Sequence, residues 1–111
     1  MGKDANHETI VREFMRSGAD VVNLSTVGKG VPDILVGFAG FNQLVEIKLP
    51  AKTGLKPNRK TSLSLRQKGW HNSWRGRKPV VIRTPEEAEL LLDELLEEAT
   101  KRDKKEQGTN G

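Results

Sequence analysis

Apolar residues recur along this chain in two rhythms, and the switches between them mark its elements. Over residues 4–16, Ile10, Val11, Phe14 and Met15 recur at helical spacing and Gly18 follows as a stop, which predicts a helix. Val21, Val22 and Leu24 predict a short strand over 19–24 that runs into a Gly28-Lys29-Gly30 turn. The runs 33–38 and 43–49 are strand-like, and the short link between them contains Gly40, so they predict an antiparallel hairpin. A basic loop with Gly54 and Pro57 covers 50–62. Ser64 then caps a second helix, which carries Gln67, Trp70 and Trp74 and ends near residue 75. Residues 80–83 predict a last strand, and Thr84 or Pro85 opens a third helix with Leu90, Leu91, Leu92, Leu95 and Leu96 on its apolar side. The predicted order is αβββαβα, an α/β fold in which one mixed four-stranded sheet is flanked by helices. It forms a single domain over residues 1–100, followed by a polar tail over 101–111 expected to fray or be disordered.

Composition narrows the class. With 111 residues, 34% of them hydrophobic, the chain suits one domain with one modest core. No apolar run is long enough to span a bilayer and no signal-peptide pattern follows the first residues, so a soluble, cytoplasmic protein with no membrane partner is expected. The absence of cysteine excludes disulfides and thiolate metal sites. The net charge of +4 matters less than its distribution: residues 48–83 contain many Lys and Arg and no acidic residue, whereas 86–98 are almost purely acidic and apolar. A basic block of this kind predicts a polyanion-binding face, against the plainer alternative of a solvated lysine-rich loop.

The strands carry the chemistry. Alternation puts Glu46 and Lys48 on one face with Leu44, and Val45, Ile47 and Leu49 on the other. Charges of both signs at same-face positions of a central strand are costly unless paired or bound to something. Counting outward from the Gly40 turn, Asp33 falls close to opposite Glu46. Two carboxylates facing one another repel, and a cation between them resolves the conflict. An all-oxygen ligand set suits a hard divalent ion, Mg²⁺ or Mn²⁺, rather than zinc. On the first helix Glu8 lies at the edge of the stripe formed by Val11 and Met15 and is expected to reach inward, whereas Glu13 points away. His7 reads as a core or rim histidine rather than a ligand.

The sequence Gly30-Val31-Pro32-Asp33, the thirteen positions to Glu46, and then Glu46-Ile47-Lys48 resemble the motif of the PD-(D/E)XK nucleases. Within that superfamily the chain is most similar to the stand-alone VRR-NUC domains common in phage and prophage genomes. The likeness covers about residues 5–95 and includes Glu8 and Gly18 of the first helix and the Leu63-to-Trp70 segment that contains Gln67. The resemblance implies a restriction-endonuclease-like core and a metal-dependent endodeoxyribonuclease that hydrolyses DNA phosphodiester bonds, selective for four-way junctions or other branched DNA and acting as a homodimer. It implies that Asp33, Glu46 and the backbone carbonyl of Ile47 bind Mg²⁺ or Mn²⁺ and that Lys48 orients or helps deprotonate the attacking water. Glu8 would hold a second ion or a water, and Gln67 would position water or the phosphate. Lys29, Lys52, Lys56, Arg59, Lys60, Arg66 and Lys68 would contact the DNA backbone without reading sequence.

Other readings differ in class. A non-catalytic DNA-binding module could keep the fold, a flap or nicking nuclease could keep the chemistry, and an RNA-directed nuclease would differ only in substrate. Trp70 and Trp74, four apart on one helical face, read as core or dimer-interface residues before base-stacking platforms, because large aromatics dominate small cores. The acidic third helix reads as a cover for the sheet.

Overall fold

Glycines and prolines punctuate the chain where its elements end. The computed structural model describes residues 6–109, with side chains through Lys105. Helix α1 (His7–Arg16) stops in a Schellman turn: Gly18 takes φ +96° and Ala19 N–H donates to the Phe14 carbonyl. The start of the predicted helix, residues 4 and 5, lies outside the described residues. Strands β1 (Asp20–Asn23), β2 (Ile34–Phe38) and β3 (Phe41–Ile47) form an antiparallel meander, and β4 (Val80–Ile82) joins β3 in parallel. Helices α2 (Leu65–Ser73) and α3 (Pro85–Thr109) complete the order, and the sheet order is β1-β2-β3-β4. The αβββαβα reading and the mixed four-stranded sheet are therefore what the chain adopts.

The hairpin is tighter than the sequence implied. Ala39 and Gly40 both have positive φ, 53° and 82°, as a two-residue turn matched to strand twist requires. Phe38 then pairs directly with Phe41, so β3 begins two residues before Gln43, where the sequence placed its start.

The core lies on one face of the sheet. Ile34, Val36, Val45, Ile47 and Ile82 pack there against Ile10 and Phe14 of α1 and Ala88, Leu91, Leu92 and Leu95 of α3. Two helical stripes differ from expectation. On α1 the inward residues are Ile10 and Phe14, while Met15 is 59% exposed. This rotation turns Glu13, expected to point away, into a buried position, where Arg16 and Ser17 donate to its carboxylate. A hydrogen bond from Glu89 of α3, followed by the Arg16 guanidinium, holds Glu13 below the usual carboxylate range; the same contact pushes Glu89 up. On α3 the stripe is Ala88, Leu91, Leu92, Leu95 and Ala99, which leaves Leu90 and Leu96 on its flanks and exposed.

Helix α3 also continues to Thr109, past Lys101, where the sequence predicted a polar tail. Lysine, arginine and glutamate are good helix formers, and Arg102 gives the extension a tertiary anchor. Its guanidinium sits 5.1 Å from the Phe41 ring centroid and lies against Gly40 of the hairpin turn. No described helix is long and apolar enough to cross a membrane.

Candidate functional site at the C-terminal end of strand β3

Extending the β2–β3 register one step beyond Ile34↔Val45 puts Asp33 opposite Glu46, and a second step puts Pro32 opposite Ile47. Asp33 is half-buried, and its Oδ2 accepts the Ile47 N–H at 2.8 Å. That bond shows that the Ile47 N–H faces β2, and in a strand the carbonyl of the same residue faces the same way. The group opposite it is Pro32, which has no N–H to donate. The sequence Pro-Asp thus presents the Ile47 carbonyl and the Asp33 carboxylate together, beside Glu46.

Glu46 and Lys48 are sealed from water, at 2% and 6% exposure. Lys48 Nζ lies 3.8 Å from Glu46 Oε2 and donates to the Arg59 carbonyl at 2.8 Å. The Leu49 N–H donates to the Lys60 carbonyl. The basic loop is therefore folded back onto the strand end, and Asn58 shapes it: its carbonyl takes the Thr61 and Ser62 N–H groups and its Oδ1 takes that of Lys60.

Gln67 reaches the site from α2. Ser64 and Gln67 form a reciprocal capping box, in which Gln67 Oε1 accepts the Ser64 N–H while Gln67 Nε2 donates to Glu46 Oε2 at 3.1 Å. Both ends of this carboxamide are committed, so Gln67 orients the Glu46 carboxylate. His71, one turn further, is buried beside Lys48; desolvation, then the Lys48 charge, lowers its pKa from the ordinary histidine value. Neither His71 nor Asn6 was singled out from sequence. Asn6 precedes α1, and its Nδ2 donates to the carbonyls of Lys48 and Arg83, both at 2.9 Å, which ties the start of α1 to the ends of β3 and β4. A lone asparagine before a helix reads as a cap, and its side chain makes no capping bond here.

Asn6 brings the first turn of α1 to this end of the sheet, but Glu8 does not reach inward as expected. It is exposed, on the wall of a groove of about 770 Å³ that also includes His7, Asn23 and Ile34, the residue after Asp33. His7 is buried, as a core or rim histidine should be. Among the described residues no three His, Asp or Glu side chains converge closely enough to form a metal site by themselves.

Lys29, Lys52, Lys56, Arg59, Lys60, Arg66 and Lys68 are all exposed. Lys29 sits at the tip of a turn with φ 58°, and that turn docks on α2: a Cβ on Gly30 would stand 2.7 Å from the Arg66 carbonyl oxygen. Other cations of the basic block have structural partners, Lys78 on the carbonyls of Asn72 and Trp74 among them. Arg77 donates to Gln43 and Glu98 and covers the Phe41 ring, and Arg83 donates to the Thr61 carbonyl. The two tryptophans are not core residues. Their rings stack at 4.8 Å and 14° on the sheet face away from the core, and Trp74 is 42% exposed. No protein-family model matches the chain, and neither a curated protein nor a solved structure matches it.

Proposed function

We propose that the chain is a metal-dependent endodeoxyribonuclease with a restriction-endonuclease-like core, whose active centre is formed by Asp33, Glu46 and Lys48. The observation that carries this reading is the buried Glu46–Lys48 pair, 3.8 Å apart, at the strand end where Asp33 stands against Ile47. A buried ion pair is weak in stability terms, because removing two charges from water offsets most of their attraction. A pair kept there, beside a second carboxylate and beneath a loop of exposed cations, is better explained by chemistry on a polyanion than by packing.

The donor set fits a hard divalent cation. Asp33, Glu46 and the Ile47 carbonyl offer oxygen ligands only, and Mg²⁺ is commonly held by one or two carboxylates with water completing its shell. When bound, Mg²⁺ or Mn²⁺ would supply an acidified water and neutralise charge on the scissile phosphate. Gln67 fixes the orientation of Glu46 through its Nε2. Lys48 holds its ammonium between Glu46 and the Arg59 carbonyl, a position suited to offset the negative charge that grows on a phosphate in the transition state. The exposed cations of the loop would hold the DNA backbone, with binding that weakens steeply as salt rises.

A DNA-binding module without catalysis is the second reading, and it rests on the same exposed cations of the loop. Cleavage of labelled four-way junction, flap and linear duplex DNA in Mg²⁺ and in Mn²⁺ separates the two. Asp33→Asn keeps an acceptor for the Ile47 N–H but removes a charge, and it should abolish cutting while leaving binding intact. DNA bound by wild type but uncut with either metal would leave only the binding module.

A further inference from the structure

The stacked tryptophans stand in a setting that packing does not explain. Trp70 and Trp74 cover one side of a groove of about 430 Å³, opposite Leu24, Val31, Leu35 and Leu44. In a chain short of aromatic residues, two of the largest remain on the thinly covered face of the sheet. Their geometry is also fixed. Lys78 Nζ donates to the carbonyls of Asn72 and Trp74 and locks the end of α2. Gly76 lets the Trp74 ring lie flat on the turn, since a Cβ there would stand 2.7 Å from the indole Nε1. Close to the rings in sequence, Arg66, Lys68 and Arg75 are exposed, within a stretch from residue 48 to residue 83 that has no acidic residue, and Arg77, which lines the groove, is paired with Glu98.

We infer that Trp74, backed by Trp70, is a stacking platform for an unpaired nucleobase of single-stranded DNA, set beside the Glu46–Lys48 site. A flat apolar surface carried on a helix with exposed cations at Arg66 and Lys68 matches a ligand that is itself flat, apolar on its faces and anionic along its backbone. Residues 67, 70 and 74 lie on one side of α2, so the rings stand about 5 and about 10 Å along the helix from the amide that touches Glu46. This rests on the nuclease reading and deepens it by naming the side chain that would hold an unpaired strand next to the cut.

Trp70 and Trp74 are the only tryptophans and the chain has no tyrosine, so intrinsic emission reports on this pair alone. The experiment is a titration in EDTA of the whole chain with a non-self-complementary single-stranded oligodeoxynucleotide and with a blunt duplex of equal phosphate count. The single strand should quench the emission to saturation and the duplex should leave it nearly unchanged. Trp74→Ala should weaken single-strand binding by about tenfold or more with duplex binding unchanged, and Trp74→Phe should recover most of the loss. Equal quenching by duplex and single strand overturns the inference. So does an emission that shifts with protein concentration alone, which would mean a second copy covers the rings. Should Trp74→Ala not fold, the comparison of the two DNAs on wild type still decides. Because no metal is present, quenching without later cutting would sink the nuclease reading alone, and cutting without quenching would sink the platform alone.

Discussion

Toward α1 and α3, Val36, Val45 and Ile47 are sealed beneath Ile10, Phe14 and Leu95. On the opposite face of the same strands the assignment is inverted: Leu35 and Leu44 remain half-buried while Glu46 and Lys48 are sealed. The first face follows the ordinary rule that apolar area leaves water, worth about 25 cal/mol per Å². The second buries charge and leaves aromatic surface partly wet, two choices that each reduce stability. Local departures of this kind concentrate at functional sites, where the rest of the fold holds them in place.

Removing the charges altogether gives the sharpest contrast between the faces. In Glu46→Gln/Lys48→Met both desolvated charges are gone, while the new carboxamide at position 46 can still accept from Gln67. Cutting should fall by about 10³-fold or more, the scale of losing a preorganised electrostatic group. Unfolding free energy should stay within about 1 kcal/mol of wild type or rise above it, as for buried ion pairs replaced by neutral residues of similar volume. Urea melts and initial cleavage rates measured on the same preparations test this. A double variant destabilised by several kcal/mol would mean that the pair holds the fold, and the contrast between the faces would collapse.

The complementary substitution is Phe14→Ala, on the core face. Phe14 is fully buried, and its truncation should cost about 3–5 kcal/mol. Since Phe14 lies on the far side of the sheet from Glu46, cutting per folded molecule should be unchanged at temperatures where the variant remains folded. A drop in specific activity measured well below its midpoint would show that the two faces are mechanically linked.

Both faces were partly legible in the sequence, for different reasons. Period-two alternation fixes that Glu46 and Lys48 share a face and that Val45 and Ile47 share the other, and a Gly-containing link sets Asp33 near Glu46 by counting. Those inferences need only the pleat and a hairpin. The rotation of α1 was not legible, because Ile10, Val11, Phe14 and Met15 define a broad stripe and only packing against the sheet and α3 selects its centre. Glu8 and Glu13 exchanged environments as a result. Asn6 and His71 were missed for a related reason: their roles depend on tertiary structure bringing helices to the ends of β3 and β4, and neither residue has a local pattern that reports it. The tryptophans read as core or dimer-interface residues because large aromatics dominate small cores, but they lie on the face away from the core, Trp70 half-buried and Trp74 exposed.

The smallest effect concerns His71, which makes the charged face sensitive to pH. Its imidazole is buried next to Lys48, and its Nε2 has no hydrogen-bond partner among the described residues. Burial and then the Lys48 charge favour the neutral form, so its folded pKa lies below the ordinary value of 6.5. The sign follows from linkage. Above 6.5 the ring is neutral in both folded and unfolded chains and stability is unaffected. As pH falls through that value the unfolded chain binds the proton first, so stability drops until the folded ring protonates as well. Because His71 lies one turn from Gln67 on α2, forcing a second cation against Lys48 loosens the helix whose amide orients Glu46, and cutting should decline over the same range. Replacing the ring by His71→Gln should flatten the fall in urea midpoint between about pH 7.5 and about pH 5, a range in which most carboxylates stay ionised. If variant and wild type lose the same stability over that range, the acid sensitivity belongs to another group, and His71 is no more than a filler beneath α2.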